Sequence, residues 1–223
     1  MENILPIHLQ EVVFSSSDSK FRKQISKLEK AGKLKKIAAR IYSPNFTDSP
    51  ETIVRRNLFT ILGKLYPGSL LSHRSALEFK PTSADHIFIT FTYTKKISLP
   101  GISLRIMEGH GPIDGDNPFS GELYASQMER ALLENLQVSR QTGPQSKTIT
   151  LPELEDRLAQ VVRVKGEAGL NELRDKARVV AERLGMQAEF CKLNKLISAL
   201  LNTNPSKKLS SPLAVARAFG NPY

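Results

Sequence analysis

Cysteine occurs once in these 223 residues, at Cys191, and tryptophan not at all. A lone cysteine excludes an intramolecular disulfide and any zinc site built on cysteine pairs. It fits a thiol-reducing, cytoplasmic compartment. Histidine is scarce too. His8, His73, His86 and His110 are scattered singly, with no pair at metal-ligand spacing, so no metal and no cofactor is expected. No apolar run approaches the roughly 18 residues of a membrane span. The opening Met1-Glu2-Asn3-Ile4-Leu5-Pro6 carries an acid where a signal peptide carries bases. Acids are in deficit throughout: 22 Asp and Glu face 32 Lys and Arg, leaving a net charge of +10. With 40% hydrophobic and 24% charged residues, the composition is still that of a folded globular chain.

The surplus charge is concentrated. Between Asp18 and Arg40 stand Lys20, Arg22, Lys23, Lys27, Lys30, Lys33, Lys35, Lys36 and Arg40, opposed only by Asp18 and Glu29. This short window holds most of the surplus, which points to a polyanionic partner or, more plainly, to a solvated lysine-rich face. Phe21, Ile25 and Leu28 follow helical spacing and share one face. At about 100° per residue, Lys20, Lys23, Lys27 and Lys30 gather within roughly 80° on the other side. Asp18 or Ser19 can cap the start, and Gly32 stands where a left-handed stop belongs. Lys33 to Tyr42 then reads as a basic β-hairpin turning at Ala38-Ala39-Arg40. A helix followed at once by a basic hairpin is the order of a recognition helix and its wing. Only Ile4 to Phe14 precedes it, and Val12-Val13-Phe14 reads as a strand, so the winged helix is a reduced one.

Ser49-Pro50-Glu51 starts a helix with a stripe of Val54, Leu58, Ile61, Leu62 and Leu65, ending at Pro67-Gly68. Ser72 begins a short helix through Ala76 and Leu77. His86 to Tyr93 is the best strand, with Ile87, Ile89, Phe91 and Tyr93 on one face, and Ile102 to Met107 is expected as its partner strand. A loop runs from Gly109 to Gly121, and Ser126-x-x-Glu129 is a capping box before Met128 to Leu136. Ser139 to Lys147 reads as a linker. Beyond it, Leu154-Leu158-Val161, Leu170 to Leu184 and Phe190 to Leu200 mark three helices, the last ending near Asn204-Pro205. The expected fold class is α+β, with a winged helix over 1–44, a mixed α/β domain over 45–140, a helical domain over 148–209 and a tail over 210–223.

Lys27-Leu28-Glu29-Lys30-Ala31-Gly32-Lys33-Leu34 with Ile41-Tyr42-Ser43-Pro44 resembles the winged-helix start of AbiEi antitoxin-like regulators. Ser72-His73-Arg74-Ser75-Ala76-Leu77 and Glu129-Arg130-Ala131-Leu132-Leu133-Glu134 continue the likeness. Glu167-Ala168-Gly169-Leu170-Asn171 and the stretch Ser211 to Tyr223 are similar to the region preceding the catalytic domain in some Fic-family proteins. The resemblance implies a DNA-binding module that regulates a toxin-like or AMP-transferring activity. It also implies a toxin or Fic catalytic domain as partner, in cis or in trans. The wing of the antitoxin family turns on a glycine, where this chain has Ala39-Arg40.

Catalysis within the chain itself is not expected. Asn117-Pro118-Phe119-Ser120-Gly121-Glu122 echoes the Fic loop, but Asn117 stands in place of the histidine base and cannot accept the proton. His73 reads as a hydrogen-bonded structural residue, Cys191 as a small buried hydrophobe, and Glu153, Glu155 and Asp156 as first-turn acids at a helix dipole. The expected function is a non-enzymatic, DNA-binding transcriptional regulator or antitoxin-like module. Its candidate contacts with double-stranded DNA are Lys20, Lys23, Gln24, Ser26, Lys27 and Lys30 on the helix, with Lys35, Lys36 and Arg40 on the hairpin. Gln24 and Ser26 are the groups on the helix suited to base edges. The competing reading is a protein-interaction segment of a Fic-type protein that binds no DNA.

Overall fold

The computed structural model describes residues 10–203. Among these residues the chain is α+β, with seven α-helices and two sheets. It divides into two compact units between Gln127 and Met128.

The first unit opens with a small antiparallel sheet of β1 (Val13–Phe14), β2 (Lys35–Ala38) and β3 (Ile41–Ser43), in the order β1-β3-β2. Helix α1 (Ser19–Lys30) lies between β1 and β2 in the chain. Strand alternation gives the sheet two buried faces. Val13, Leu34 and Tyr42 pack with Phe21, Ile25 and Leu28 of α1. Val12, Phe14, Ile37 and Ile41 turn the other way, into the main core of the unit. That core is completed by α2 (Pro50–Arg56), α3 (Leu58–Leu65) and a six-stranded sheet. Its strands are β4 (Leu70–Leu71), β5 (His86–Phe91), β6 (Lys95–Leu99), β7 (Ile102–Glu108), β8 (Asn117–Ser120) and β9 (Leu123–Ala125), in the order β6-β7-β5-β4-β9-β8. β5 runs parallel to β7, with Ile87 opposite Leu104 and Ile89 opposite Ile106. The other side of β5 meets α4 (His73–Glu78), where Ser75 Oγ accepts from the Phe88 amide at 2.9 Å.

The second unit is helical: α5 (Met128–Asn135), a 3-10 turn at Gly143–Gln145, α6 (Leu151–Leu184) and α7 (Gln187–Thr203). Thr150 and Glu153 form a reciprocal capping box at the start of α6. Leu154, Leu158, Leu170, Leu173 and Ala177 are buried, as are Leu193 and Ile197 of α7.

Several expectations are corrected. The helix expected to run unbroken from Pro50 is two helices divided at Asn57, whose side chain bonds back to the Ile53 carbonyl and to Glu11. The loop expected over Gly109 to Gly121 contains the edge strand β8. Tyr93 lies beyond the end of β5 and is exposed, edge-on to Phe91. Residue 44 is not a unit boundary, since Val12, Ile37 and Ile41 share one core with Ile53, Leu62 and Ile89. Ser139 to Lys147 falls inside the second unit, where Ser146 is buried and Lys147 Nζ donates to Gln137 Oε1 at 3.0 Å. Cys191 is exposed because α7 buries Leu193, Ile197 and Leu201, and Cys191 sits off that stripe. The tail over 210–223, the helix end near Asn204 and the stretch before residue 10 lie outside the described residues.

Candidate nucleic-acid interface

The local chemistry of α1 fixes both of its ends. The Asp18 carboxylate accepts from the Lys20 amide at 2.9 Å, satisfying one orphan donor of the first turn. At the other end Gly32 takes φ +68°. Its amide bonds to the Glu29 carbonyl and that of Lys33 to the Leu28 carbonyl, the double bond of a Schellman stop. Ile25 is buried and Phe21 and Leu28 are half-buried, while Lys20, Arg22, Lys23, Gln24, Ser26, Lys27 and Lys30 are all exposed. Among the described residues no carboxylate forms an ion pair with any of these cations. Lys27 and Lys30 also occupy the last turn, where the helix dipole favours cations.

The hairpin separates its two lysines. Lys36 is exposed, but the neighbouring Lys35 points to the other face of the strand. There Lys35 Nζ donates to the Asp48 carbonyl at 2.7 Å and lies 5.9 Å from the centre of the Phe46 ring. Lys35 is thus engaged inside the protein. Arg40 is exposed at the hairpin turn with φ +65°, a left-handed conformation that costs a non-glycine residue about 1 kcal/mol or more. The Arg40 carbonyl is held by the Ser15 amide at 2.9 Å. Arg22 belongs to the same exposed surface, although its flank position left it outside the contacts read from the sequence.

A polar network fastens this module to the rest of its unit. Glu11 accepts from Arg56 through both carboxylate oxygens and from Asn57 and Asn45. Arg56 also reaches Asp48 at 2.7 Å. The Arg56 guanidinium holds the Glu11 carboxyl below its ordinary range, helped by the two asparagines and opposed by partial burial. Arg56 and Asn45 hold Asp48 down in the same way. One arginine therefore ties Glu11, two residues before β1, to the loop after β3, which sets the position of the hairpin and so of α1.

The other motifs singled out in the sequence occupy supporting positions. His73 is buried, takes φ +53° and lies 3.1 Å from Ser72 Oγ. Arg130 and Glu134 form a buried pair at 2.8 Å along α5, and Arg74 and Glu78 a half-buried pair at 2.9 Å along α4. Asn117 is exposed on β8. Among the described residues no three His, Cys, Asp or Glu side chains gather as a metal site, and no helix is long and apolar enough to cross a membrane. No family model, curated protein or solved structure matches this chain.

Proposed function

We propose that the chain is a DNA-binding regulator of winged-helix type, with α1 as its recognition helix and the β2–β3 hairpin as its wing. The observation that carries this reading is the solvent face of α1. It carries Lys20, Arg22, Lys23, Lys27 and Lys30 against Glu29 alone, pairs none of these cations with a carboxylate among the described residues, and is joined through Gly32 directly to a hairpin that exposes Lys36 and Arg40. The β1-β3-β2 order behind the helix suits the same reading. A 12-residue helix is about 18 Å long and fits along a major groove. The lysines would contact phosphates, which position the protein without reading sequence. Gln24 and Ser26 would face base edges, so a single copy should discriminate sequences only modestly. The antitoxin-like and Fic-associated parts of the proposal draw on the likeness of the quoted motifs.

The test is the double exchange Lys23→Ala/Lys27→Ala in the full chain, with binding to duplex DNA titrated at several salt concentrations and thermal melting as control. Each lysine that neutralises a phosphate contributes about one counterion, so the slope of log affinity against log salt should flatten by up to roughly two. Melting should barely move, because exposed substitutions change stability by within about 0.5 kcal/mol. An unchanged slope would place the DNA on another face. No binding by the parent protein at low salt would favour the interaction-segment reading instead.

A further inference from the structure

The second unit holds a cavity that DNA binding does not use. Inside α6, Gly166 takes φ +68° and ψ −171°, a backbone region essentially reserved for glycine. The helix stops there and restarts in a new direction, giving arms over 151–165 and 167–184. Arg157 and Lys176 are nineteen residues apart, a distance of ~28 Å along a straight helix, yet both line one cavity of about 330 Å³. The arms therefore fold toward each other. Gly169 makes this possible: a Cβ there would collide with the side chain of Lys165.

The walls combine two chemistries. Val161 and Val164 of the first arm, Leu173 of the second and Met128 of α5 supply an apolar lining. Val164 is 75% exposed and Met128 36%, so this apolar lining is open to solvent. Around this lining stand three cations and two acids. Glu172 is bound to Lys176 at 2.7 Å and so is neutralised locally. Among the described residues Arg157 and Lys165 form no ion pair with a carboxylate, and Lys165 acts on Glu172 only through space. Three cations against Glu129 and Glu172 leave a surplus of one positive charge beside an apolar wall, which complements an anionic head on an apolar body. The volume, near the lower end for ligand cavities of roughly 300–1,000 Å³, suits a small molecule.

We propose that the cleft between the two arms of α6 binds a small organic anion with an apolar body, its head on Arg157 and Lys165 and its body against Val161, Leu173 and Met128. This inference is independent of the DNA reading, and the failure of either leaves the other standing.

Three probes of one chain length and different heads test it: octanoate, 1-octanol and octylammonium. Each is titrated into the full chain while the methyl resonances of Met128, Val161, Val164 and Leu173 are followed. Octanoate should shift this methyl group set saturably, with octanol about tenfold weaker and octylammonium weaker still. Arg157→Gln/Lys165→Gln should weaken octanoate about tenfold and leave octanol unchanged. Should the double variant melt early, the two single exchanges carry the same comparison. Equal affinity for the three probes, shifts spread evenly beyond the cavity, or undiminished octanoate binding by variants that melt like the parent would each overturn the proposal.

Discussion

Helix α1 and the second arm of α6 are both exposed along one side and both rich in charge, but they arrange it differently. The α6 arm interleaves its signs. Lys176 sits on Glu172 at 2.7 Å and Arg178 on Asp175 at 2.7 Å, each one turn away, where opposite charges support a helix. Lys176 draws the Glu172 carboxyl below its ordinary range, and Glu172 raises the Lys176 ammonium in return. Helix α1 has Lys20, Arg22, Lys23, Lys27 and Lys30 against Glu29 alone. Like charges at Lys23 and Lys27, one turn apart, cost the helix a few tenths of a kcal/mol. A helix needing only solubility has the α6 solution open to it. The cation-rich face of α1 bears a small stability cost, and an external polyanion would offset it.

The sharpest way to break this contrast is to reverse charge on each helix in turn. Lys23→Glu/Lys27→Glu should lower DNA affinity on the order of a hundredfold or more at low salt. Lys176→Glu/Arg178→Glu makes the same formal change in net charge and should leave DNA affinity within about threefold. Fluorescence anisotropy with one duplex and both variants decides it. Equal losses would mean that net charge, not the α1 face, attracts the nucleic acid.

A second effect, smaller, concerns how α1 is held rather than what it touches. Glu11 and Asp48 both have carboxyl pKa values depressed in the folded chain, chiefly by Arg56. A depressed carboxyl contributes stability that is present above its unfolded value and is lost as pH falls through the folded one. Melting of the first unit should therefore decline below about pH 4, the ordinary carboxylate range. In Glu11→Gln that acid-side decline should be shallower, and melting at neutral pH lower than in the parent. The difference should be modest, since the Arg56 side chain is 50% exposed and solvent screens its ion pairs. Parallel pH profiles for parent and variant would mean that the network contributes nothing to holding the module.

What could be read in the sequence was what local chemistry decides. The span of α1 follows from Asp18, the Phe21-Ile25-Leu28 spacing and Gly32, all within one short stretch. β5 and β7 announce themselves through alternating isoleucines. β6 does not: Lys95-Lys96-Ile97-Ser98-Leu99 is a strand because the β7 backbone pairs with it, not because its side chains ask for one. β8, with Asn117 and Pro118, is likewise made by pairing with β9. At the site, strand alternation already separates Lys35 from Lys36, but which of the two faces inward depends on Asp48 and Phe46. The stripes Leu154-Leu158-Val161 and Leu170 to Leu184 were legible as two helices, but their joining across Gly166 was not. Nor was the cavity between them, because it arises from folding one arm back on the other.

The smallest predicted effect separates structure from contact at a single residue. Arg40 occupies the hairpin turn at φ +65°, where glycine, the residue of the antitoxin-family wing, would sit without steric cost. Asparagine tolerates this region better than most side chains. Arg40→Gly should therefore relieve strain of about 1 kcal/mol, partly offset by glycine's greater freedom in the unfolded chain. Arg40→Asn should gain less from relief but lose less to entropy. Both should melt at or slightly above the parent temperature. If Arg40 contacts a phosphate from the wing, both should also flatten the salt dependence of DNA binding by about one, and Arg40→Lys should restore it. Variants that melt higher and bind DNA with an unchanged slope would make Arg40 a strained turn residue without a nucleic-acid contact. A flattened slope without any gain in stability would mean that the left-handed turn costs nothing and that the side chain is there for its charge.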